Sequence, residues 1–267
     1  MAPLPPPPPP PPKLPPPPPP LRAATELPLG GHTYDVERSR WGLGDAFLAF
    51  GIFIVVGLVL AAIFFGTEGR DATLSGVWLP LLVVGPAVCQ FSYVIWVGQK
   101  KGTGIVADFR AQIRFGDAAV GAALCISALI LAGITAQIMI EITGDTPNAS
   151  VAELIEDSEG ESSGLTVWIF LMAFLGATFI PIAEELLFRG LWWSALEKRG
   201  VHQLVSLAIT STVFAIVHFE PSRTPVLLVL GAVIGLGRIA TGRIGASIFA
   251  HMYVNAIGMT FLLIELS

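Results

Sequence analysis

Apolar runs of roughly 20 residues recur along the chain, and short polar segments separate them. A run of this length is what an α-helix needs to cross the hydrocarbon core of a bilayer. The pattern therefore predicts an all-α fold, a polytopic transmembrane helical bundle of about seven spans, with an eight-span variant that has a re-entrant segment as the alternative. The predicted spans are approximately residues 44–65, 77–98, 117–140, 165–188, 203–219, 225–240 and 244–264.

Composition agrees with this pattern. The chain is 53% hydrophobic and only 13% charged, whereas a soluble domain carries about 25% charged residues. Its mean hydropathy is +0.72. No basic cluster accompanies the aromatic residues, so nucleic acid is not a predicted partner. The lipid bilayer is the predicted surrounding, and the protein is predicted to be an integral membrane protein.

Lysine and arginine are concentrated in alternate connections between the spans, and the intervening connections are acidic or sparse. The positive-inside rule makes the basic connections cytoplasmic. We therefore predict a cytoplasmic N-terminus and a C-terminus outside, in the plasma membrane if the source is bacterial. The basic positions are Arg38, Arg40, Lys100, Lys101, Arg110, Arg114, Arg189, Lys198, Arg199, Arg238 and Arg243.

The first 40 residues form a separate segment, a proline-rich cytoplasmic tail followed by a juxtamembrane linker. Pro5–Pro12 and Pro15–Pro20 are unbroken proline runs, which predict a disordered, solvated polyproline II conformation. A low-complexity spacer is the simpler interpretation, and a ligand for an SH3-like partner is the alternative. Residues 41–164 are then the N-terminal transmembrane helices, and residues 165–264 a C-terminal core.

Ionisable residues interrupt the apolar C-terminal runs. An acidic side chain at the bilayer centre costs roughly 2.5–3.5 kcal/mol even on lenient insertion scales, so such groups mark functional sites. Both histidines inside predicted spans belong to this set. The interrupting residues are Glu184, Glu185, Arg189, His218, His251 and Asn255.

Simple geometry places these side chains near one another. Glu184 and His218 are equidistant from residue 201, which lies in the polar turn between two spans, so an antiparallel hairpin puts them at one depth. Asn255 follows His251 by four residues and shares its helix face.

This set of residue types suits peptide hydrolysis by an activated water. A carboxylate can accept a proton from water, and a nearby imidazole can pass that proton to the leaving amine. A second imidazole and an amide can stabilise the oxyanion of a tetrahedral intermediate. No serine or cysteine nucleophile is required.

Each element also has a structural interpretation. Glu185 and Arg189 are spaced i, i+4, as in an ion pair. His218 can be a hydrogen-bonded packing residue, and His251 with Asn255 can join helices by hydrogen bonds. Trp192 and Trp193 are typical of interfacial anchors.

Three segments together resemble a known family: Glu184-Glu185-Leu-Leu-Phe-Arg189, Phe214-Ala-Ile-Val-His218 and His251-Met-Tyr-Val-Asn255. They look like the motif series of the CAAX-protease and bacteriocin-processing family. Its members are intramembrane glutamic endopeptidases, related to the type II CAAX prenyl endopeptidase and to lysostaphin-resistance-like membrane proteins. The resemblance covers about residues 165–264.

The resemblance implies a role for each candidate. Glu184 with His218 would activate water, and His251 with Asn255 would form the oxyanion hole. Glu185 and Arg189 would support the site. Members are often labelled metalloproteases, but the chain has no HExxH helix. We expect no cofactor, with zinc on Glu184, His218 and His251 as the alternative.

The leading hypothesis is thus an endopeptidase acting on a membrane-tethered protein or peptide. The alternative from another class is a non-proteolytic membrane scaffold, or a bacteriocin-immunity or abortive-infection factor with the same fold. A proton-coupled transporter ranks below both, since the sequence shows no inverted repeats with interrupted helices.

Overall fold

The computed structural model describes residues 39–69, 72, 74–144 and 166–267. The predicted proline-rich tail up to residue 38 lies outside the described residues, and so does the acidic connection at residues 153–161.

All regular structure in the described residues is helical, which confirms the all-α prediction. The helix ends agree with the ends of the predicted spans within three residues, with one exception. The fourth run ends at Glu197 and not at residue 188. The elements are α1 (Leu43–Glu68), α2 (Trp78–Lys101), α3 (Ile105–Asp108), α4 (Phe115–Thr143), α5 (Val167–Ala177), α6 (Phe179–Glu185), a π-helical segment (Leu186–Trp192), α7 (Trp193–Glu197), α8 (Gln203–Ile216), α9 (Thr224–Thr241) and α10 (Gly245–Glu265).

Six of the seven apolar segments are long and apolar enough to span a membrane, counting α5 to α7 as one. The exception is α8, which has 14 residues and is about 21 Å long at 1.5 Å per residue. The expectation that the fifth run crosses the bilayer by itself is therefore not met.

The fourth apolar run is not one regular helix. Pro181 has no N–H to donate to the carbonyl of Ala177, and α5 ends at that residue. Thr178, with φ −120° and ψ −68°, makes the break, and Pro181 falls in the first turn of α6. After Glu185 the backbone widens into the π-helical segment before α7 begins. Such segments are rare in proteins, and many of those known lie at functional sites.

This broken run is central in the bundle, because α1, α2, α8 and α10 all contact it. Its π-helical segment and α7 contribute much of the main hydrophobic core. Trp192 and Trp193 are both buried there. Their interpretation as interfacial anchors is therefore wrong, because both side chains pack inside the protein.

Small residues allow several helices to approach closely. A Cβ at Gly121 of α4 would lie 2.6 Å from the Cβ of Phe249 and 2.9 Å from the nitrogen of Ala250 on α10. A Cβ at Gly235 of α9 would lie 2.5 Å from Leu207 of α8. Packing between apolar helices in lipid depends on such contacts, since burial from water contributes little there.

The basic connections lie at one end of the bundle. Lys198 donates to the carbonyls of Ser39 and Trp41, both at 2.7 Å. Arg243 binds both carboxylate oxygens of Asp117. The first contact joins the chain ahead of α1 to the turn after α7, and the second joins the turn between α9 and α10 to the start of α4. Arg110 links the two groups, since it donates to the carbonyl of Gly242 and lies 3.6 Å from Glu197. The basic residues thus gather at one end, as predicted.

We expect Gly121→Ala to destabilise the protein by about 1–3 kcal/mol, because the new methyl group would overlap the α10 backbone. The measurement is the thermal unfolding midpoint of protein purified in detergent. Gly133→Ala on the same helix is the matched control, since no heavy atom lies within 4 Å of its added Cβ. It should be neutral or stabilising, because alanine favours helix. Equal midpoints for the two variants would contradict this account of α4 against α10.

Candidate active site

The two adjacent glutamates lie at the end of α6, immediately before the π-helical segment. Neighbouring residues on a helix point about 100° apart, so their surroundings differ. The Glu185 side chain is fully buried, whereas that of Glu184 is 23% exposed. Of the two, Glu184 is therefore the carboxylate that water or a substrate can reach.

Glu185 joins an arginine and a histidine through one oxygen. Its Oε1 accepts from Nη1 of Arg189 at 2.8 Å and lies 2.9 Å from Nδ1 of His251. A carboxylate paired with arginine is an acceptor, so we assign the donated proton to Nδ1 of His251. The imidazole is then fixed in orientation, and its Nε2 lies 3.6 Å from Oε2 of Glu184.

Arg189 is fully buried and held on three sides. Besides Glu185, its guanidinium donates from Nη2 to the carbonyl of Gly231 at 2.5 Å. Its guanidinium carbon lies 5.2 Å from the centre of the Phe214 ring, within the range of a cation–π contact. A buried charge of this kind is tolerated because it is both paired and hydrogen-bonded.

His218 lies two residues beyond the end of α8. Its Nδ1 is 2.6 Å from the carbonyl of Phe214, one of the last-turn carbonyls that a helix end leaves without a helical partner. A carbonyl only accepts, so Nδ1 carries the proton and Nε2 of neutral His218 keeps its lone pair. The next residue, Phe219, has φ +56°, a strained conformation for a non-glycine residue.

The structure brings only part of the predicted set into direct contact. Within residues 166–267, no hydrogen bond or ion pair joins Glu184 to His218; the imidazole beside Glu184 is that of His251. The two histidines are related through Phe214, whose ring centre lies 4.7 Å from that of His218 and 5.6 Å from that of His251.

Asn255 contacts the same broken run from one turn further along α10. Its Nδ2 donates to the carbonyl of Gly176 at 3.0 Å, two residues before the break at Thr178. That bond uses one N–H of the amide. His251 and Asn255 therefore both face the run that carries the glutamates, as their four-residue spacing predicts.

Comparison with known families gives a match in this region. Residues 166–257 match the model of the Rce1-like family, described as type II CAAX prenyl endopeptidase Rce1-like. Over these residues the chain is similar to the Rce1-like family of CAAX endopeptidases. All six candidate residues lie within the matched segment. No curated protein and no solved structure matches the chain.

The described residues do not form a ready metal site. No group of three or more His, Cys, Asp and Glu side chains among them is arranged to hold a metal ion. The alternative zinc set was Glu184, His218 and His251. In both histidines Nδ1 is already bonded within the protein. These bonds leave Nε2 of each histidine as the nitrogen that could bind a metal, and zinc-binding histidines commonly bond a protein acceptor through their other nitrogen in this way.

Sequence reasoning missed several residues that support the site. Gly231 supplies the carbonyl for Arg189, Gly176 the carbonyl for Asn255, and Arg238 donates to the carbonyl of Arg189. Pro181 signalled the break in the run, and the Gly231–Gly235 spacing signalled a close helix contact. Nothing in the pattern signalled the π-helical segment.

Arg189→Met should cost about 3–5 kcal/mol of stability, because it leaves Glu185 buried without its counter-charge. The double variant Glu185→Gln/Arg189→Met should recover much of this loss, since no buried charge remains and Gln can still accept from His251. Thermal unfolding in detergent measures both.

Arg223→Met is the matched control, since Arg223 forms an i, i+3 ion pair with Glu220 but its side chain is 22% exposed. Its loss should stay below about 1 kcal/mol. A double variant no more stable than Arg189→Met would show that the buried charge is not what destabilises the single variant.

Proposed function

We propose that the protein is an intramembrane endopeptidase that hydrolyses a peptide bond of a membrane-associated protein or peptide. The observation that supports this best is the pairing of the part-exposed Glu184 carboxylate with an imidazole fixed by Glu185. The pair lies within an apolar bundle, in the region that matches an endopeptidase family.

Glu184 is the proposed base. It takes one proton from a water molecule as the water oxygen bonds to the peptide carbonyl carbon, and the carbonyl π electrons move to its oxygen. The C–N bond then breaks, and the amine leaves with a proton. His218, with Nε2 free to accept and release a proton, is the proposed carrier between Glu184 and the leaving amine.

His251 and Asn255 are the proposed oxyanion donors. When His251 carries a proton on each nitrogen, Nδ1–H still bonds Glu185 and Nε2–H is available to the developing negative charge. Asn255 contributes the N–H that is not bonded to Gly176. Glu185 and Arg189 are positioning residues, because they orient His251 without reaching the reacting atoms.

We propose that the end of the bundle with the basic residues faces the cytoplasm, which puts the N-terminus inside and the C-terminus outside. In a bacterium the membrane would be the plasma membrane. The substrate is then tethered to this membrane. Whether it is prenylated, and whether an SH3-like partner binds the proline-rich tail, are separate hypotheses.

Glu184→Gln should lower the rate of cleavage by about 10²–10⁴-fold, because Gln cannot accept a proton from water. The assay is a panel of fluorogenic, membrane-anchored peptides with protein purified in detergent, and His218→Ala should show a loss of the same order. Glu265→Gln, an exposed acid at the end of α10, is the control and should keep full activity. Undiminished cleavage by a folded Glu184→Gln variant would contradict the mechanism. If the biological function of the protein survived both Glu184→Gln and His218→Ala, the scaffold or immunity hypothesis would be favoured.

We further propose that the reaction needs no metal ion. Incubation with a chelator such as EDTA or 1,10-phenanthroline, followed by gel filtration, should leave cleavage within about two-fold of the untreated protein, since Glu and His supply the proton transfers themselves. Loss of activity that added Zn²⁺ restores would overturn the metal-free mechanism and favour zinc.

A further inference from the structure

Arg238 is a buried arginine of the last turn of α9 that the sequence pattern assigned only to the basic end of the bundle. Its side chain is 2% exposed. We infer that Arg238 is a positioning residue for the proposed hydrolysis: it holds the π-helical segment in the conformation that aligns Arg189, Glu185 and His251 beside Glu184. This inference rests on the proposed function for its kinetic consequences but not for its structural ones.

One guanidinium group contacts both halves of the region after the glutamates. Nη1 of Arg238 donates to the backbone carbonyl of Arg189, which lies inside the π-helical segment. Nη2 donates to Oγ of Ser194 and to Oε2 of Glu197, both at 3.1 Å in α7. Arg238 therefore connects the π-helical segment to the regular helix that follows it.

Two further contacts fix where the guanidinium lies. Nη1 also donates to the carbonyl of Phe109 at 3.2 Å, and the guanidinium carbon lies 5.4 Å from the centre of the Trp193 ring. Phe109, Trp193 and Ser194 are all buried. Arginine suits this position because its planar, rigid group presents several donors in fixed directions.

The contact to Arg189 falls where α-helical and π-helical hydrogen bonding differ. In an α-helix, the N–H of Trp193 would donate to the carbonyl four residues earlier, that of Arg189. Here it donates to the carbonyls of Phe188 and Gly190. Arg238 takes the position at the Arg189 carbonyl that the α-helical N–H would occupy. Its hydrogen bond thus favours the π conformation over the α conformation, which matters where water cannot satisfy the backbone.

A direct series of contacts connects this carbonyl to the proposed base. The guanidinium of Arg189 binds Glu185, Glu185 orients His251, and His251 lies 3.6 Å from Glu184. An α-helix turns about 100° per residue. Loss of the extra π-helical residue would rotate α7 and the Arg189 side chain about the helix axis, so that the Arg189 guanidinium could no longer meet Glu185, the Gly231 carbonyl and the Phe214 ring together.

Kinetics of a charge-balanced variant test the inference. Arg238→Met alone removes one of the two arginines that pair with Glu197 and leaves Arg110 as the other, so the informative variant is Arg238→Met/Glu197→Gln, which removes one charge of each sign. We expect kcat to fall by about 10–100-fold and KM to change less than about three-fold, because misplaced groups lower the rate without removing substrate contacts. Arg238→Lys, which keeps the charge and one donor direction, should restore part of kcat.

Arg243→Met is the matched control. Arg243 lies at the same end of the bundle and also pairs with a buried acid, Asp117, but it contacts no residue of the π-helical segment. This variant should lose stability and keep its kcat. A kcat in Arg238→Met/Glu197→Gln equal to that of wild type, or an equal fall in the control, would overturn the inference.

A second measurement does not depend on catalysis. Protein labelled with ¹⁵N-histidine contains four histidines, and a His251→Gln variant identifies the resonances of His251. We expect the Nδ1 resonance of His251 to shift in Arg238→Met/Glu197→Gln and to a smaller extent in Arg238→Lys, and to stay unchanged in Arg243→Met.

The two measurements separate the possible failures. If wild-type protein cleaves no peptide but the His251 resonance shifts as expected, the proposed function fails and the positioning role of Arg238 stands. If wild type is active but neither kcat nor the resonance responds to loss of Arg238, the positioning role is refuted and the proposed function is unaffected. Should the double variant fail to fold, the Arg238→Lys resonance decides between these outcomes.

Discussion

The ion pair between Glu185 and Arg189, fully buried and one helical turn apart, is the interaction on which the rest of the site depends. Removing two charges from water costs more than their attraction returns unless further hydrogen bonds complete the geometry. Here the Gly231 carbonyl, the Phe214 ring and His251 complete it. The need to satisfy this pair explains why three other helices converge on the end of α6.

The backbone of the broken run is irregular on both sides of the glutamates. The Pro181 break precedes them and the π-helical segment follows them. Each irregularity is bridged by a polar side chain from a later helix: Asn255 binds the carbonyl of Gly176, and Arg238 binds that of Arg189. Irregular backbone inside a membrane is tolerated where protein groups satisfy it. The cross-helix bonds that stabilise the fold are therefore the same bonds that fix the site.

Helix length and helix spacing then place the histidines. The helix α8 has only 14 residues, and His218 lies two residues past its end, where its ring contacts Phe214. Absence of side chains at Gly231 and Gly235 lets α9 approach α8 and Arg189. In lipid, close approach of this kind supplies the association energy that burial from water supplies in soluble proteins.

By itself the sequence determined the all-α membrane class, most helix ends and the chemical identity of the candidate residues. Apolar run length and the cost of charge in lipid are local properties that can be evaluated one segment at a time. The i, i+4 spacings likewise gave the Glu185–Arg189 pair and the shared face of His251 and Asn255.

Only the tertiary structure decided which imidazole lies beside Glu184. A hairpin argument equalises depth but does not fix how each helix is rotated about its own axis. The contacts of His251 with Glu185 and Glu184, from a helix more than 60 residues further along the chain, show the rotation that the structure adopts. The burial of Trp192, Trp193 and Arg238 has the same origin. Their residue types are typical of a membrane surface, and only contacts between distant segments show that they are buried and bonded within the protein.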